Sequence, residues 1–303
     1  GDHRDLRSFP TRRSSDLKQE NLKSMMSDMK HRGPDDEGLF IRDNAGFGFV
    51  RLSILDLSLL GHQPMFDQSN RYMIIHNGEV YNYIELRKEL EKKGYSFKSN
   101  TDTEVILYSY IEWGADCLDK FNGMWSFAIY DISRKKLFIS RDRYGIKPLY
   151  YYHDDNHFVF ASEIPPILNI LKKYYNILIA PDNQSIFDYL VFNRTDQTES
   201  TFFLQIKKLQ HGCNIEISNN KVSNQQWYKL SENIGEPFSC AEQYRELLSS
   251  AIGLRLRSDV PVGVCLSGGL DSSSITSILL KDHNKKDLKT FSAVYGVDQY
   301  GDE

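Results

Sequence analysis

The sequence predicts an α+β domain followed by the opening of an α/β domain. Short β-rich runs separated by Gly, Asp and Asn turns fill residues 46–160, and two amphipathic helices interrupt them, which is the layering of an α+β domain. Farther on, the apolar run 260–266 leads through a glycine loop into a helix, the order of a buried parallel strand and its crossover.

In chain order, Leu22, Met25, Met26 and Met29 recur at three- and four-residue spacing and predict an amphipathic helix over 18–31, stopped at Gly33-Pro34. Strands are expected over 72–76, 125–130, 136–140, 149–152 and 158–161. Helices are expected over 83–93 and 103–113, the second closing at Gly114. Trp125 and the run Tyr150, Tyr151, Tyr152 read as core and sheet packing. A helical run over 185–192 and short strands around Lys207 and Ile215 follow, and the polar stretch 218–240 reads as a linker. From Ala241, one helix face carries Tyr244, Leu247, Leu248, Ile252 and Leu256 and reaches about Asp259. A further strand is expected over 290–295. The resulting organisation is one domain over 18–217 and the start of a second over 241–303.

Residues 8–17 (SFPTRRSSDL) stand apart, being polar and rich in Arg and Ser. Read back into codons they look like one frame of a sequencing adapter, so 1–17 is expected to be non-native, with the natural sequence beginning near Lys18.

Composition narrows the function. A net charge of −4 gives no electrostatic footprint for nucleic acid or acidic lipid. No apolar run approaches the ~20 residues that span a bilayer. Cys117, Cys213, Cys240 and Cys265 form no CxxC pair, which argues against a disulfide framework or a zinc site and fits a reducing cytoplasm.

The strongest motif is Ser267-Gly268-Gly269-Leu270-Asp271-Ser272-Ser273. A strand entering a glycine loop and then a helix makes an anion site, because free backbone N–H groups and the helix dipole converge there. The lysine of a GxxxxGK[ST] loop is missing, which disfavours γ-phosphate transfer. A Ser/Gly loop before a helix can also be an ordinary N-cap. The segment nevertheless resembles the pyrophosphate loop of the ATP-pyrophosphatase (PP-loop) family, and the preceding RLRSDVPVGV at 255–264 resembles its asparagine synthetase version.

A second set of motifs lies upstream: HRGPD at 31–35, RLSI at 51–54, GHQPM at 61–65, NGEVYN at 77–82, TDTE at 101–104 and RDRYGIKPLY at 141–150. Together, and in this order, they resemble the class-II glutamine amidotransferase domain. The resemblance implies the four-layer αββα sandwich of the Ntn-hydrolase-like folds, followed by the start of a Rossmann-like PP-loop domain. It further implies a glutamine-hydrolysing asparagine synthetase that uses glutamine, aspartate and ATP with Mg²⁺, and it leaves room for a homodimer.

By that resemblance Asn77 (side-chain amide) and Gly78 (backbone N–H) form an oxyanion hole. Arg51 grips the substrate α-carboxylate bidentately, beside Leu52, Ser53 and Ile54. Glu79 and Asp102 accept from the α-ammonium. Leu266, Ser267, Gly268, Gly269, Asp271, Ser272 and Val294 hold ATP, with Asp271 on Mg²⁺. Taken singly, Asn77-Gly78 is also a good type I′ turn and Asp102 a helix cap. His31 and His62 are read as structural.

The resembling enzymes use a cysteine at the mature N-terminus as nucleophile, with its own amine as base. None of the four cysteines is so placed, so the polypeptide as written is expected not to hydrolyse glutamine, and the residues for aspartate are expected beyond Glu303. Competing readings are an amidotransferase with another synthase domain, which SGGLDSS disfavours, a relative amidating a different acid, and a non-catalytic paralogue.

Overall fold

A computed structural model describes residues 19–219 and 221–294. The segment 1–17 and Tyr295, the end of the last expected strand, lie outside these. The described residues form two compact units, divided between Asn233 and Ile234.

The first unit begins with α1 (Gln19–Asp28), which buries Leu22 and Met26, and the hairpin β1 (Asp36–Arg42) and β2 (Ala45–Arg51). Then come β3 (Met65–Phe66), β4 (Tyr72–Val80), α2 (Tyr83–Lys92), α3 (Asp102–Trp113) and α4 (Cys117–Lys120). These lead to β5 (Gly123–Asp131), β6 (Lys136–Arg141), β7 (Tyr150–His153), β8 (Phe158–Ala161), α5 (Ile164–Tyr174) and α6 (Asn183–Phe192). The unit's last strands are β9 (Ile206–Lys208), β10 (Cys213–Ser218) and β11 (Lys221–Gln226).

Six strands make one sheet in the order β11-β10-β6-β5-β4-β3, and β8-β7-β9 and β1-β2 make two smaller ones. Strand alternation sends Ile74, Val80, Trp125, Phe127 and Ile129 to one face of the large sheet, where Leu86, Leu90, Val105, Ile106 and Leu107 of α2 and α3 cover them. Met73, Ala128, Tyr130 and Ile139 face the other way, against Phe47 of β2 and Tyr151 of β7. Beyond the small sheets, α1 packs on β2 and α5 on β7 and β8, with Ile167, Ile170 and Leu171 buried. Helices thus flank two sheet layers, the expected αββα order.

The hairpin β1–β2 was not an expected pair of strands, because its AGFGF stretch carries glycines that weaken the β signature. The stretch expected as a linker holds β11 in its first part, paired to β10 along its length. An edge strand of sequence KVSNQQ is almost all exposed, so its polar residues conceal it. Trp125 is fully buried, its Nε1–H donating to Ser140 Oγ at 3.1 Å, and Tyr151 and Tyr152 are buried as expected. The expected helix over 185–192 forms as part of α6, but none of its residues is buried.

The second unit comprises α7 (Ala241–Arg255), β12 (Gly263–Cys265), α8 (Leu270–Lys281) and β13 (Lys289–Phe291), with β12 and β13 parallel. Here two expectations fail. The helix stops four residues short of Asp259, and Tyr244 and Leu247 of its apolar face are more than half exposed. The strand before the glycine loop, expected to be buried, leaves Cys265 exposed. Among the described residues a two-stranded sheet and two helices bury only Ile252, Ile278 and Leu279, too little to close over a strand.

Candidate functional site

The site grows from the edge of β4. Its neighbour β3 ends after two residues, so beyond Ile74 one side of β4 has no strand partner among the described residues. On that side the N–H of His76 donates to Gln63 Oε1 at 2.6 Å, and the N–H of Val80 donates to Asp102 Oδ2 at 2.8 Å. The ladder with β5 runs without a bulge through Gly78↔Trp125, so alternation points the Gly78 N–H to the same side, between the two captured donors. Asn77 and Gly78 therefore lie mid-strand, which removes the type I′ turn reading. Gly78 has φ +151°, and a Cβ there would come 2.1 Å from the Met124 carbonyl oxygen, so only glycine fits. Asn77, on the opposite face, donates through Nδ2 to Ser162 Oγ at 3.3 Å.

Arg51 ends β2 and is 6% exposed. Its Nη1 donates to the Ser58 carbonyl at 3.0 Å, and its Nη2 to those of Leu55 and Asp56 at 3.2 and 2.5 Å. Three of the five guanidinium N–H donors thus hold the loop that follows β2. Gly61 packs against the same group. The expected bidentate grip is consequently not preformed, because the Nη2 face is already engaged. Ser53 donates its N–H to Asp35 Oδ2 at 2.7 Å, tying RLSI to HRGPD; Ser53 and Ile54 are half-buried and Leu52 exposed.

Asp102 opens α3 but does not cap it. The cap is Thr101, whose hydroxyl accepts from the Glu104 N–H at 3.2 Å. Burial, reinforced by the charge of Glu79 and opposed by the Val80 N–H, pushes the Asp102 carboxyl up to about 7. Burial also raises Glu79 above the usual carboxylate range, against the pull of Lys147. A cation arriving between them would relieve both.

His76 carried no expectation, yet it is buried beside this group. Its Nδ1 is 3.2 Å from Thr103 Oγ1 and its Nε2 has no partner among the described residues. Burial, then the charge of Lys147, holds the imidazole down to about 3. Lys147 is presented by the RDRYGIKP loop, which wraps the fully buried Asp142; that carboxylate accepts the N–H groups of Trp125, Tyr144, Ile146 and Lys147. His31 lies 3.1 Å from Glu163 and His62 2.8 Å from Asp36.

Arg51, Ile54, Asn77, Gly78, Glu79, Asp102 and Lys147 line one cavity of about 1350 Å³, which no cysteine lines. Cys117 is buried, and burial raises its thiol further from the reactive form. The arrangement presents hydrogen-bond donors, a guanidinium and two carboxyls to one small polar ligand. Its residues were predictable only as motif members; the quoted GHQPM and RYGIKP segments were the signal for Gln63 and Lys147.

In the second unit Gly269 is the N-cap of α8 and Gly268 has φ +84°. The hydroxyl of Ser272 accepts from the Ser267 N–H at 3.3 Å, lies 3.2 Å from Ser267 Oγ and donates to the Gly269 carbonyl at 3.2 Å. Ser267, Gly268, Gly269 and Asp271 are exposed, Leu266 and Ser272 half-buried, and Val294 is 88% exposed. Among the described residues no cluster of three His, Cys, Asp or Glu side chains could hold a metal ion. Asp271 is a single carboxylate, the kind of share a protein gives Mg²⁺ when phosphates supply other oxygens.

Residues 10–228 match the model of the glutamine amidotransferase domain, and residues 243–303 that of asparagine synthase. The chain is 38% identical over 295 residues to putative asparagine synthetase [glutamine-hydrolyzing] 2 of Methanocaldococcus jannaschii, covering 90% of this chain and 56% of that protein. It is 37% identical over 286 residues to asparagine synthetase [glutamine-hydrolyzing] 1 of Bacillus subtilis, covering 93% and 44%. The chain thus spans about half the length of these relatives. A solved glutamine phosphoribosylpyrophosphate amidotransferase from B. subtilis shares the fold, with a TM-score of 0.51 at 16% identity over 90% of this chain and 62% of that one. Among the described residues no helix is long and apolar enough to cross a membrane.

Proposed function

The chain belongs to the glutamine amidotransferase domain family, and from that premise we propose that the cavity of its first unit binds glutamine as an amide donor. One observation carries the reading: the strand edge that offers the Gly78 N–H lies in the same cavity as Arg51 and the raised carboxyl of Asp102.

Glutamine would place its side-chain carbonyl against the Gly78 N–H and the Asn77 carboxamide, where charge develops as the amide is attacked. Its α-carboxylate would sit on the Arg51 N–H groups not held by the 55–58 loop, beside Leu52, Ser53 and Ile54. Its α-ammonium would sit between Glu79 and Asp102. Hydrolysis then gives glutamate and ammonia. The nucleophile is not among the described residues of the cavity, so binding, rather than turnover, is the direct test of this chain.

The second unit would bind ATP at Ser267, Gly268, Gly269 and Ser272, with Leu266 and Val294 toward the adenosine and Asp271 holding Mg²⁺. The metal, when bound, would neutralise phosphate charge. In the full reaction the aspartate β-carboxylate attacks the α-phosphorus of ATP, giving an acyl-adenylate and pyrophosphate. Ammonia displaces AMP, leaving asparagine and a proton. The likeness to enzymes named asparagine synthetase supports aspartate as the acceptor.

Calorimetric titration with L-glutamine, D-glutamine and L-asparagine tests the first half. Selective binding of L-glutamine that Arg51→Ala abolishes is expected. Equal or absent binding of all three would sink the reading.

A further inference from the structure

We infer that Asp56 is a positioning residue that holds the two charge-binding ends of the glutamine head site in register. The inference rests on the glutamine reading above and names how that site is kept in shape. Arg51 and Asp102 come from separate stretches of chain, one ending β2 and one opening α3, and no ladder joins those stretches. One residue reaches both, through its carbonyl and its carboxylate.

Asp56 is buried and stands in the left-handed region at φ +52°, where Asp is tolerated better than most residues. Its carbonyl accepts Arg51 Nη2 at 2.5 Å. Its Oδ1 accepts the N–H and hydroxyl of Ser58, whose own carbonyl takes Arg51 Nη1. Its Oδ2 accepts the N–H of Asn100 at 2.8 Å, two residues before Asp102.

The far loop is otherwise held from the two helices that flank it, α2 and α3. Glu104 accepts the N–H groups of Lys98 and Ser99 and the hydroxyl of Ser99, and Arg87 donates to the Thr101 carbonyl. These contacts fix the shape of 98–101, and the Val80 N–H holds Asp102 itself to β4. The Asp56–Asn100 bond, across 44 residues of sequence, ties this loop directly to the one that holds Arg51. Burial raises the Asp56 carboxyl, and the N–H of Asn100, the Ser58 donors and the Arg51 charge together bring it below its ordinary value, which keeps it an acceptor.

Two variants separate the parts. Asp56→Gly suits the left-handed backbone and deletes the carboxylate; Asp56→Asn leaves one acceptor oxygen, enough for Ser58 or Asn100 but not both. Calorimetry on the full chain would compare L-glutamine with 4-carbamoylbutanoate, which lacks the α-amine, and 4-aminobutanamide, which lacks the α-carboxylate. The expected result is L-glutamine weakened on the order of tenfold in Asp56→Gly and less in Asp56→Asn, with each truncated ligand within about twofold of wild type. Each truncated ligand uses only one loop and has no register to lose. Equal weakening of all three would make Asp56 merely a fold residue, and unchanged L-glutamine binding would overturn the inference outright. A wild-type chain that binds no L-glutamine would instead fail the glutamine reading and carry this inference down with it.

Discussion

Gly61 lies so close to the Arg51 guanidinium that a Cβ at position 61 would come 1.9 Å from Nη2. The loop that follows β2 can wrap Arg51 only because this residue has no side chain. Gly61→Ala is therefore expected to push the guanidinium off the Leu55 and Asp56 carbonyls and to weaken L-glutamine by about tenfold or more, at a stability cost of about 1–3 kcal/mol. Calorimetry and urea unfolding on the same variant read both effects. Unchanged binding would show that Arg51 does not meet the ligand.

Gly78→Ala meets backbone rather than a mobile side chain. Its Cβ would fall 2.1 Å from the Met124 carbonyl oxygen and 2.7 Å from the Trp125 Cα, at a φ that L residues rarely adopt. Strand β4 must then part from β5, and a loss of about 3 kcal/mol or more is expected by urea unfolding. A variant of native stability would mean that the strand pair is looser than its register implies.

On the glutamine reading, Asp102 is expected to make the affinity for glutamine depend on pH. With its carboxyl pushed up to about 7, the carboxylate that an ammonium needs fills as pH rises from 6 to 8. Binding should tighten across that window, release a proton below it, and become weak and flat in Asp102→Asn. The same shift acts on stability. A folded pKa above the unfolded 3.8 means the native state favours the proton, so stability is lost as pH rises from about 4 to about 7. Asp102→Asn should gain on wild type over that range, by at most about 1.4 kcal/mol per pH unit, as unfolding curves at several pH values would show.

His76 has the opposite sign. Its imidazole is held down to about 3 in the fold against an ordinary 6.5, so the unfolded chain takes up a proton that the native state refuses. Stability from this group is whole above 6.5 and drains as pH falls below it. His76→Gln should flatten that acid limb while costing some stability at pH 8 through the lost Thr103 contact. An acid limb identical to wild type would place the protonation elsewhere.

How much of this was legible beforehand varies by residue. The helix carrying Leu86 announces itself because its apolar period matches the face it buries, whereas the helix carrying Val105 and the strand around Ile129 announce themselves as apolar runs buried on more than one side. The β1–β2 hairpin does not, since Gly46 and Gly48 interrupt its strand pattern; Gly48 is there for close packing, as a Cβ would meet Met26 at 2.8 Å. In the site, Arg51, Gly78 and Asp102 were found through motif order, and their common cavity follows from the layer order. Thr101 as cap was readable from the Thr101-x-x-Glu104 spacing ahead of an apolar run, but the engagement of Arg51 by its own loop was not, because it is settled by hydrogen bonds to backbone atoms. The reach of Asp56 to Asn100 is a contact of the same kind, which no local pattern encodes.

The exposed side of β4 has a consequence for what can dock there. A bare sheet edge recruits any extended chain, because it offers donors and acceptors at every second residue. Here the donors at His76 and Val80 are already occupied by Gln63 and Asp102, leaving a single opening at Gly78. A peptide seeking to add a strand would find its first and third anchor points taken. On the glutamine reading, the edge would suit a molecule with one carbonyl to place better than an extended peptide.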